Sequence, residues 1–213
     1  MKLLVDKITR KQLDAFLQKH ATDKKVLDIG SGGSSYDRFF PHRLTVDIDP
    51  ERKPDVVADG EHLPFADGEF EVVLCTEVLE HTPNPQQLIN ELYRVTRPGG
   101  TVLLTTRFVY PIHDAPGDYW RFTEYGLRLL FKNWQQLELE AEVGTATTIA
   151  VLLQRIGFQT KLRLNKLTKF SLFVSALLLS KLDFMVTKEF GNIKQTQVVP
   201  QIMTSGYYVC AKK

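Results

Sequence analysis

A short apolar run that ends in a glycine-rich turn is the feature that most constrains this chain. The run Val26–Ile29 includes one acidic residue, Asp28, and Gly30, Gly32 and Gly33 follow it. Such a run is typical of a buried parallel strand, and glycines allow positive φ and a close approach of the backbone to a ligand. In open α/β sheets, ligands bind outside the carboxyl ends of the strands. The turn therefore predicts a ligand site at the end of the first strand.

Composition and charge are those of a globular protein with a sizeable core. Hydrophobic residues make up 43% and charged residues 24% of the 213 positions, and the formal net charge is +2. A charge this close to zero does not predict nucleic-acid binding. Cys75 and Cys210 lack the spacing of metal ligands, so we expect a reducing compartment and no metal site. The apolar run 1–5 is too short for a secretory signal, and no apolar stretch approaches the ~20 residues that span a bilayer. We therefore expect a cytoplasmic protein.

Strand and helix patterns alternate along the chain, which predicts an α/β fold with a doubly wound, Rossmann-like, mostly parallel sheet. Apolar runs predict strands over 26–29, 44–48, 56–59, 70–75, 101–106, 137–143 and 206–211, and helices within 3–20, from Pro85 to about Arg97, and within 145–190. Between the first two strands there is room for a short helix at most. We expect a single domain, 1–213. Its parts are a leading helix (1–22), a cofactor-binding half (23–106), a helical lid insertion with substrate-side elements (107–200) and the last strand (201–213).

Three carboxylates stand at the ends of successive predicted strands. Asp47 is placed to accept hydrogen bonds from both hydroxyls of a ribose, as in dinucleotide-binding folds. Asp59 is placed to meet an adenine amino group. Asp28 can hold the glycine loop or reach an amine through water. Together the three residues predict a slot for adenosine with an acidic lining.

The spacing of the glycines distinguishes between two classes of adenosine ligand. A dinucleotide fingerprint has a third glycine at its sixth position, where this chain has Ser35, and it needs a helix N-terminus for the pyrophosphate. An acidic residue just before the turn suits a cationic ligand better than a pyrophosphate. S-adenosylmethionine carries ribose, adenine, a sulfonium and an ammonium, so it fits the slot. Two alternatives stay open: an NAD-type or sugar-nucleotide Rossmann enzyme, and a non-catalytic cofactor-binding module.

Five segments in order resemble a class I S-adenosylmethionine-dependent methyltransferase of the small-molecule type. They are 26–32, 45–49, 58–73, 77–81 and 97–100. The resemblance runs from about residue 24 to 106 and implies an antiparallel last strand. Ser34 departs from it, because the family has its last motif glycine there. This departure either loosens the methionine end of the site or lets Ser34 and Tyr36 contribute to it. The expected cofactor-binding residues are Asp28, Gly30, Ser31, Gly32, Asp47, Ile48, Asp59, Gly60, Cys75 and Thr76.

The expected reaction is transfer of the sulfonium methyl to a small-molecule or carrier-linked acceptor. His113 is the first candidate general base for a hydroxyl acceptor and His81 the second, because imidazole titrates near neutral pH. Packing of a lid is the alternative role for His113, and shaping of a helix start is the alternative for His81. The segment 118–123 resembles methyltransferases of bacterial glycan synthesis, which suggests a sugar or lipid-linked hydroxyl. The basic, leucine-rich segment 161–181 is either a packed helix or a surface that meets a membrane.

Overall fold

The computed structural model describes residues 6–33 and 35–213, and its strands form one seven-stranded sheet. The strands are β1 (Val26–Ile29), β2 (Arg43–Asp47), β3 (Val56–Val57), β4 (Phe70–Thr76), β5 (Thr96–Arg107), β6 (Gln136–Ala141) and β7 (Gly206–Lys212). They lie in the order β3-β2-β1-β4-β5-β7-β6.

The first five strands are parallel. Backbone hydrogen bonds show that β7 is antiparallel to β5 and β6, its two neighbours. The Gly99 N–H donates to the Lys213 carbonyl at 2.8 Å, and the Phe108 N–H donates to the Ser205 carbonyl at 3.0 Å. Since one strand ascends while the other descends, β7 is antiparallel to β5. The prediction of an α/β fold with a mostly parallel sheet and an antiparallel last strand is confirmed.

Five α-helices occur in the described part of the chain. They are α1 (Ile8–Lys19), α2 (Pro85–Val95), α3 (Glu124–Leu130), α4 (Thr145–Gln159) and α5 (Asn165–Leu179), and short 3₁₀ helices lie at Pro50–Arg52, Leu79–His81 and Asp183–Met185. The sequence predicts α1, α2, α4 and α5, whereas α3 lies in the segment predicted as a lid. The Thr123 side chain caps α3 by accepting a hydrogen bond from the Gly126 N–H. No described helix has the length and hydropathy of a membrane-spanning segment.

The start of β5 differs from the prediction. Residues 97–100 are predicted to end α2 and to precede a strand that begins at residue 101, but β5 begins at Thr96, directly after α2. Gly99 has a φ of 75°, and the pairing with β4 shifts register between Phe70 and Val72. A glycine with positive φ lets a strand continue through such a bulge, so the Pro–Gly–Gly segment lies within the strand.

The described chain divides into two compact units. One comprises residues 6–15, 108–111 and 141–206, in which α4 packs against α5 with Gly157 beside the Phe173 ring. The other comprises residues 16–107, 112–140 and 207–213 and contains nearly all of the sheet. The organisation as a single domain stays a prediction.

A buried ion pair joins β1 to β2. The Asp28 side chain is fully buried, and the Arg43 guanidinium forms a close ion pair with it. Arg43 also lies 3.0 Å from the exposed carboxylate of Asp37. Burial raises the pKa of the Asp28 carboxyl to about 7, and the Arg43 charge opposes that rise. The pairing of these two strands therefore brings a charged side chain to the middle of the sheet.

We expect Arg43→Met to lower the free energy of unfolding by ~3–5 kcal/mol, because it leaves a buried carboxylate without its counter-charge. The double variant Asp28→Asn/Arg43→Met should recover most of this loss. Urea unfolding followed by circular dichroism measures both. Asp37→Asn is the matched control, because it removes only the exposed partner and should cost less than ~1 kcal/mol. Equal losses of unfolding free energy in Arg43→Met and Asp37→Asn would contradict a stabilising role for the buried Asp28–Arg43 ion pair.

Candidate functional site

The glycine turn after β1 folds back onto the end of β2. The Gly30 N–H donates to the Val46 carbonyl at 2.8 Å, and the Gly32 N–H donates to Oδ2 of Asp47 at 2.8 Å. Gly30 has a φ of 67°, and a Cβ at this position would clash with Cγ2 of Val78. The positive φ and the lack of space beside Val78 both exclude a side chain at position 30, which explains why the residue is glycine.

A cleft of about 410 Å³ opens at the carboxyl ends of β1, β2, β3 and β4. Its volume lies within the range of ordinary small-molecule sites. The cleft brings together six of the residues predicted for the site: Gly30, Asp47, Ile48, Asp59, Gly60 and His81. The segments that line it come from four strand ends, which is where ligands bind in open α/β sheets.

Two carboxylates and one apolar side chain give the cleft its chemistry. Both oxygens of the buried Asp47 accept hydrogen bonds from backbone N–H groups, one from Gly32 at 2.8 Å and one from Asp49 at 3.0 Å. Asp59 is exposed, and one of its oxygens accepts from the Glu61 N–H at 2.9 Å. Ile48 has 68% of its surface exposed. An acidic wall beside an open apolar side chain suits a ribose and a flat apolar ring.

A third carboxylate of the cleft does not follow from the sequence. Glu61 is buried and accepts two hydrogen bonds from Asn84, from the backbone N–H at 3.0 Å and from the side-chain amide at 2.8 Å. This contact fixes the wall of the cleft to the start of α2. No motif or spacing in the sequence pairs these two residues, because they meet only in the folded chain.

Other predicted site residues lie beside the cleft and do not line it. Asp28 pairs with Arg43, and its Oδ1 has no hydrogen-bond donor among the described residues, so Asp47 holds the glycine turn instead. Cys75 is fully buried in β4, and burial raises the pKa of its thiol. Oγ1 of Thr76, also buried, lies 3.4 Å from the Tyr36 hydroxyl.

Two further predicted residues belong to the glycine turn. The Ser31 N–H donates to the Val46 carbonyl at 3.2 Å, and Gly32 makes its hydrogen bond to Asp47. Ser34, for which the sequence predicts a contribution to the methionine end of the site, lies outside the described residues.

His81, His113 and the Glu80 carboxylate form a histidine cluster at the end of β4. Nε2 of His81 lies 3.1 Å from Nε2 of His113, and Oε1 of Glu80 lies 4.0 Å from the same His113 atom. Burial raises the pKa of the Glu80 carboxyl to about 8, and the nearby Glu77 charge adds to the rise. Burial lowers the pKa of His113. The sequence predicts both histidines for the site but gives no role to Glu80.

The 112–122 loop holds His113 in place. Asp118 accepts two hydrogen bonds from the Arg121 guanidinium, at 2.5 and 2.8 Å, and these hold the pKa of its carboxyl well below the usual range. Asp118 also accepts from the His113 backbone N–H at 2.9 Å. The N–H groups of Tyr119 and Trp120 both donate to the Glu80 carbonyl, at 2.9 and 3.1 Å. The loop is thus fastened to the end of β4.

Glu77, at the start of this turn, has a backbone φ of 57°, which is uncommon for a side chain other than glycine. Its carboxylate pairs closely with Arg107 and accepts from the Thr105 hydroxyl at 2.8 Å. Strained backbone of this kind clusters at functional sites, because the surrounding structure must hold it. The strain marks the end of β4 as a second wall of the site.

Comparison with known proteins finds a family match over the part of the chain that lines the cleft. Residues 27–104 match the family described as methyltransferase domain. An uncharacterized methyltransferase of Mycobacterium sp. (strain KMS) is 38% identical, and the match covers 38% of this chain and 38% of the relative. An uncharacterized protein of Methanocaldococcus jannaschii is 32% identical over 46% of this chain and 51% of that protein. The matches thus span less than two thirds of the curated relatives.

The fold extends the likeness to nearly the whole chain. A SAM-dependent methyltransferase from Archaeoglobus fulgidus superposes with a TM-score of 0.55 at 17% identity, covering 96% of this chain and 94% of that chain. Identity this low establishes a shared fold alone. Residues 27–104 are thus similar in sequence to the methyltransferase-domain family, and the chain shares its fold with a solved methyltransferase.

Proposed function

We propose that this protein transfers the methyl group of S-adenosylmethionine to a hydroxyl of a small-molecule or carrier-linked acceptor. The observation that supports the proposal is the cleft, in which the glycine turn, Asp47 and Asp59 lie together at the carboxyl ends of three strands. A pyrophosphate cofactor suits the site less well. The segment 35–42, which follows the turn, contains no helix whose N-terminus would face a phosphate.

The adenosine part of the cofactor is assigned to the β2 and β3 side of the cleft. Each Asp47 oxygen accepts one backbone N–H and keeps a lone pair for a ribose hydroxyl. Ile48, whose side chain is exposed in the cleft, is proposed to pack against the adenine ring, and Asp59 and Gly60, which also line the cleft, are proposed to meet the adenine amino group. The methionine part is assigned to the glycine turn and the end of β4, with Asp28, Gly30, Ser31, Gly32, Cys75 and Thr76.

The reaction is an in-line displacement at the methyl carbon. A lone pair of the acceptor oxygen forms the new C–O bond while the C–S bond breaks, and its electrons stay on sulfur as S-adenosylhomocysteine leaves. The hydroxyl proton must go to a base. His113 is the first candidate, because the lowered pKa of its half-buried imidazole favours the neutral ring, which can accept a proton. His81 is the second candidate, because its Nε2 lies 3.1 Å from Nε2 of His113.

The acceptor is proposed to be a sugar hydroxyl, free or lipid-linked. Tyr119 and Trp120, next to the histidine cluster, keep 54% and 43% of their surface exposed. The Trp120 indole N–H donates to the Thr82 carbonyl at 3.0 Å, which fixes the ring. Rigid, exposed aromatic rings provide a flat apolar face of the kind that packs against a sugar ring.

The segment 161–181 is proposed to meet a membrane surface that carries such an acceptor. Leu167, Phe170 and Leu178 of α5 are 67%, 56% and 60% exposed, and Lys161 and Lys166 lie exposed in the same segment. Exposed apolar side chains among cations are typical of helices that lie in the interface of anionic bilayers.

Asp47→Asn is expected to weaken binding of S-adenosylhomocysteine by about 10- to 100-fold. The reason is that a hydrogen bond to a charged group contributes ~1.5–3 kcal/mol. Isothermal titration calorimetry measures the affinity. Asp55→Asn is the matched control, because this exposed carboxylate holds Thr45 and does not line the cleft. Unchanged affinity in Asp47→Asn would overturn the ribose assignment.

His113→Ala is expected to lower turnover by ~10²–10⁴-fold, the usual contribution of a positioned base, while the affinity for S-adenosylhomocysteine stays the same. Radiolabelled methyl transfer to sugar and lipid-linked sugar acceptors measures the first quantity, and calorimetry the second. Loss of cofactor affinity as well would assign His113 to the packing of the loop.

Phe170→Asp/Leu178→Asp is expected to reduce binding to phosphatidylglycerol vesicles by at least ~10-fold, since burying one such side chain contributes ~1.5–3 kcal/mol. Co-sedimentation measures the bound fraction. Ile193→Asp is the matched control, because Ile193 is fully exposed but lies outside the segment. Equal binding of all three proteins, or none by the unmodified protein, contradicts membrane contact.

A further inference from the structure

Hydrogen bonding fixes where the proton of His81 sits. Its Nδ1 lies 2.7 Å from the Gly117 carbonyl oxygen. A carbonyl oxygen only accepts, so Nδ1 must carry the hydrogen and donate it. In the neutral ring, Nε2 then carries no hydrogen and has a free lone pair. This atom faces His113.

The proton of His113 is fixed in a similar way, by a contact at its Nδ1. Its Nδ1 lies 3.2 Å from Oδ2 of Asp118, whose negative charge is secured by the Arg121 guanidinium. A carboxylate beside Nδ1 favours the proton on that nitrogen, which leaves Nε2 with a lone pair. The two Nε2 atoms are 3.1 Å apart. Two lone pairs at this separation repel each other unless a positive centre lies next to both.

A buried carboxylate oxygen of Glu80 is further evidence for a positive centre beside the two histidines. The Glu80 side chain is fully buried, and its Oε2 accepts from the Thr106 hydroxyl at 2.7 Å. Its Oε1 has no hydrogen-bond donor among residues 6–33 and 35–213, although buried carboxylate oxygens are normally paired. One ligand atom each from Glu80, His81 and His113 lie within 4.8 Å of one another.

We propose that Glu80, His81 and His113 bind a divalent transition-metal ion. Two imidazoles and one carboxylate favour ions such as Zn²⁺, Fe²⁺ and Co²⁺ over Mg²⁺ and Ca²⁺, which prefer oxygen ligands. Three protein ligands leave a coordination position open, as in catalytic zinc sites. The Gly117 carbonyl and the Asp118 carboxylate are the kind of outer partner that orients metal-binding histidines in other proteins.

The role of the ion rests on the proposed function. An ion here would act as a Lewis acid and lower the pKa of an acceptor hydroxyl that reaches the open position, so the hydroxyl loses its proton more readily. The two histidines would then serve as ligands in place of the free-base role proposed above, and the hydroxyl proton would pass to solvent water. Since the ligands come from segments 32 residues apart, the spacing within either segment gives no metal motif, and the sequence alone predicts no metal.

The experiment titrates Co²⁺, and in competition Zn²⁺, into the full chain after dialysis against a chelator. We expect one equivalent of Co²⁺ with the visible absorption of a nitrogen- and oxygen-bound ion. Glu80→Gln, His81→Ala and His113→Ala should each abolish the band. Asp118→Asn should weaken binding by about 10- to 100-fold, as loss of an outer partner does. His42→Ala is the matched control, because His42 is exposed and outside the cluster.

Absence of Co²⁺ and Zn²⁺ binding, or equal affinity in Glu80→Gln and the unmodified protein, overturns the metal site. Circular dichroism of each variant separates loss of the site from loss of the fold, and the isosteric Glu80→Gln keeps the shape of the buried side chain. Calorimetry with S-adenosylhomocysteine on the same samples keeps the two proposals apart. Cofactor binding without metal binding overturns this inference alone, and metal binding without cofactor binding overturns the proposed function alone.

Discussion

The parallel pairing of β1 with β2 on one side and β4 on the other is the constraint on which the site depends. Leu27 of β1 pairs in register with Leu44 and with Val73, so the three strands end at the same edge of the sheet. The chain leaves that edge through a glycine turn, through Asp47 and through the strained Glu77. Three loops that are far apart in sequence thereby surround one cleft. A slip of register by one residue would turn every side chain to the opposite face and remove the cleft.

Several acidic side chains lie near this edge of the sheet. Most of the acidic side chains near the edge have a partner that holds them: Asp28 pairs with Arg43, Glu61 accepts from Asn84, and Asp118 accepts from Arg121. These contacts fix the walls of the cleft and the loop that carries His113. Glu80 and Asp28 each keep one buried carboxylate oxygen without a hydrogen-bond donor among the described residues, but only that of Glu80 lies near a histidine side chain, 4.0 Å from Nε2 of His113. A buried carboxylate oxygen without a hydrogen-bond donor, next to a cleft, indicates a further candidate functional site.

The sequence predicts the features that are local to one segment. Alternating apolar runs place most of the strands within a few residues of their observed ends, and Gly30, Asp47 and Asp59, which the sequence predicts for the site, line the same cleft. Features that depend on two distant segments are not predictable in this way. The partner of Glu61 is 23 residues away and that of Asp28 is 15, and no periodicity or spacing connects them. The early start of β5 has a related cause, since a bulge opposite β4 overrides a local Pro–Gly–Gly signal.

We propose that the cleft binds S-adenosylmethionine through the ends of β1, β2 and β3. A ¹H–¹⁵N NMR titration of the labelled protein with S-adenosylhomocysteine and, separately, with NADH tests this proposal. We expect S-adenosylhomocysteine to shift the amide signals of Gly30, Ile48, Asp59 and Gly60, which line the cleft, and NADH not to shift them. Shifts caused by NADH alone, or shifts by S-adenosylhomocysteine confined to residues outside the cleft, would contradict it.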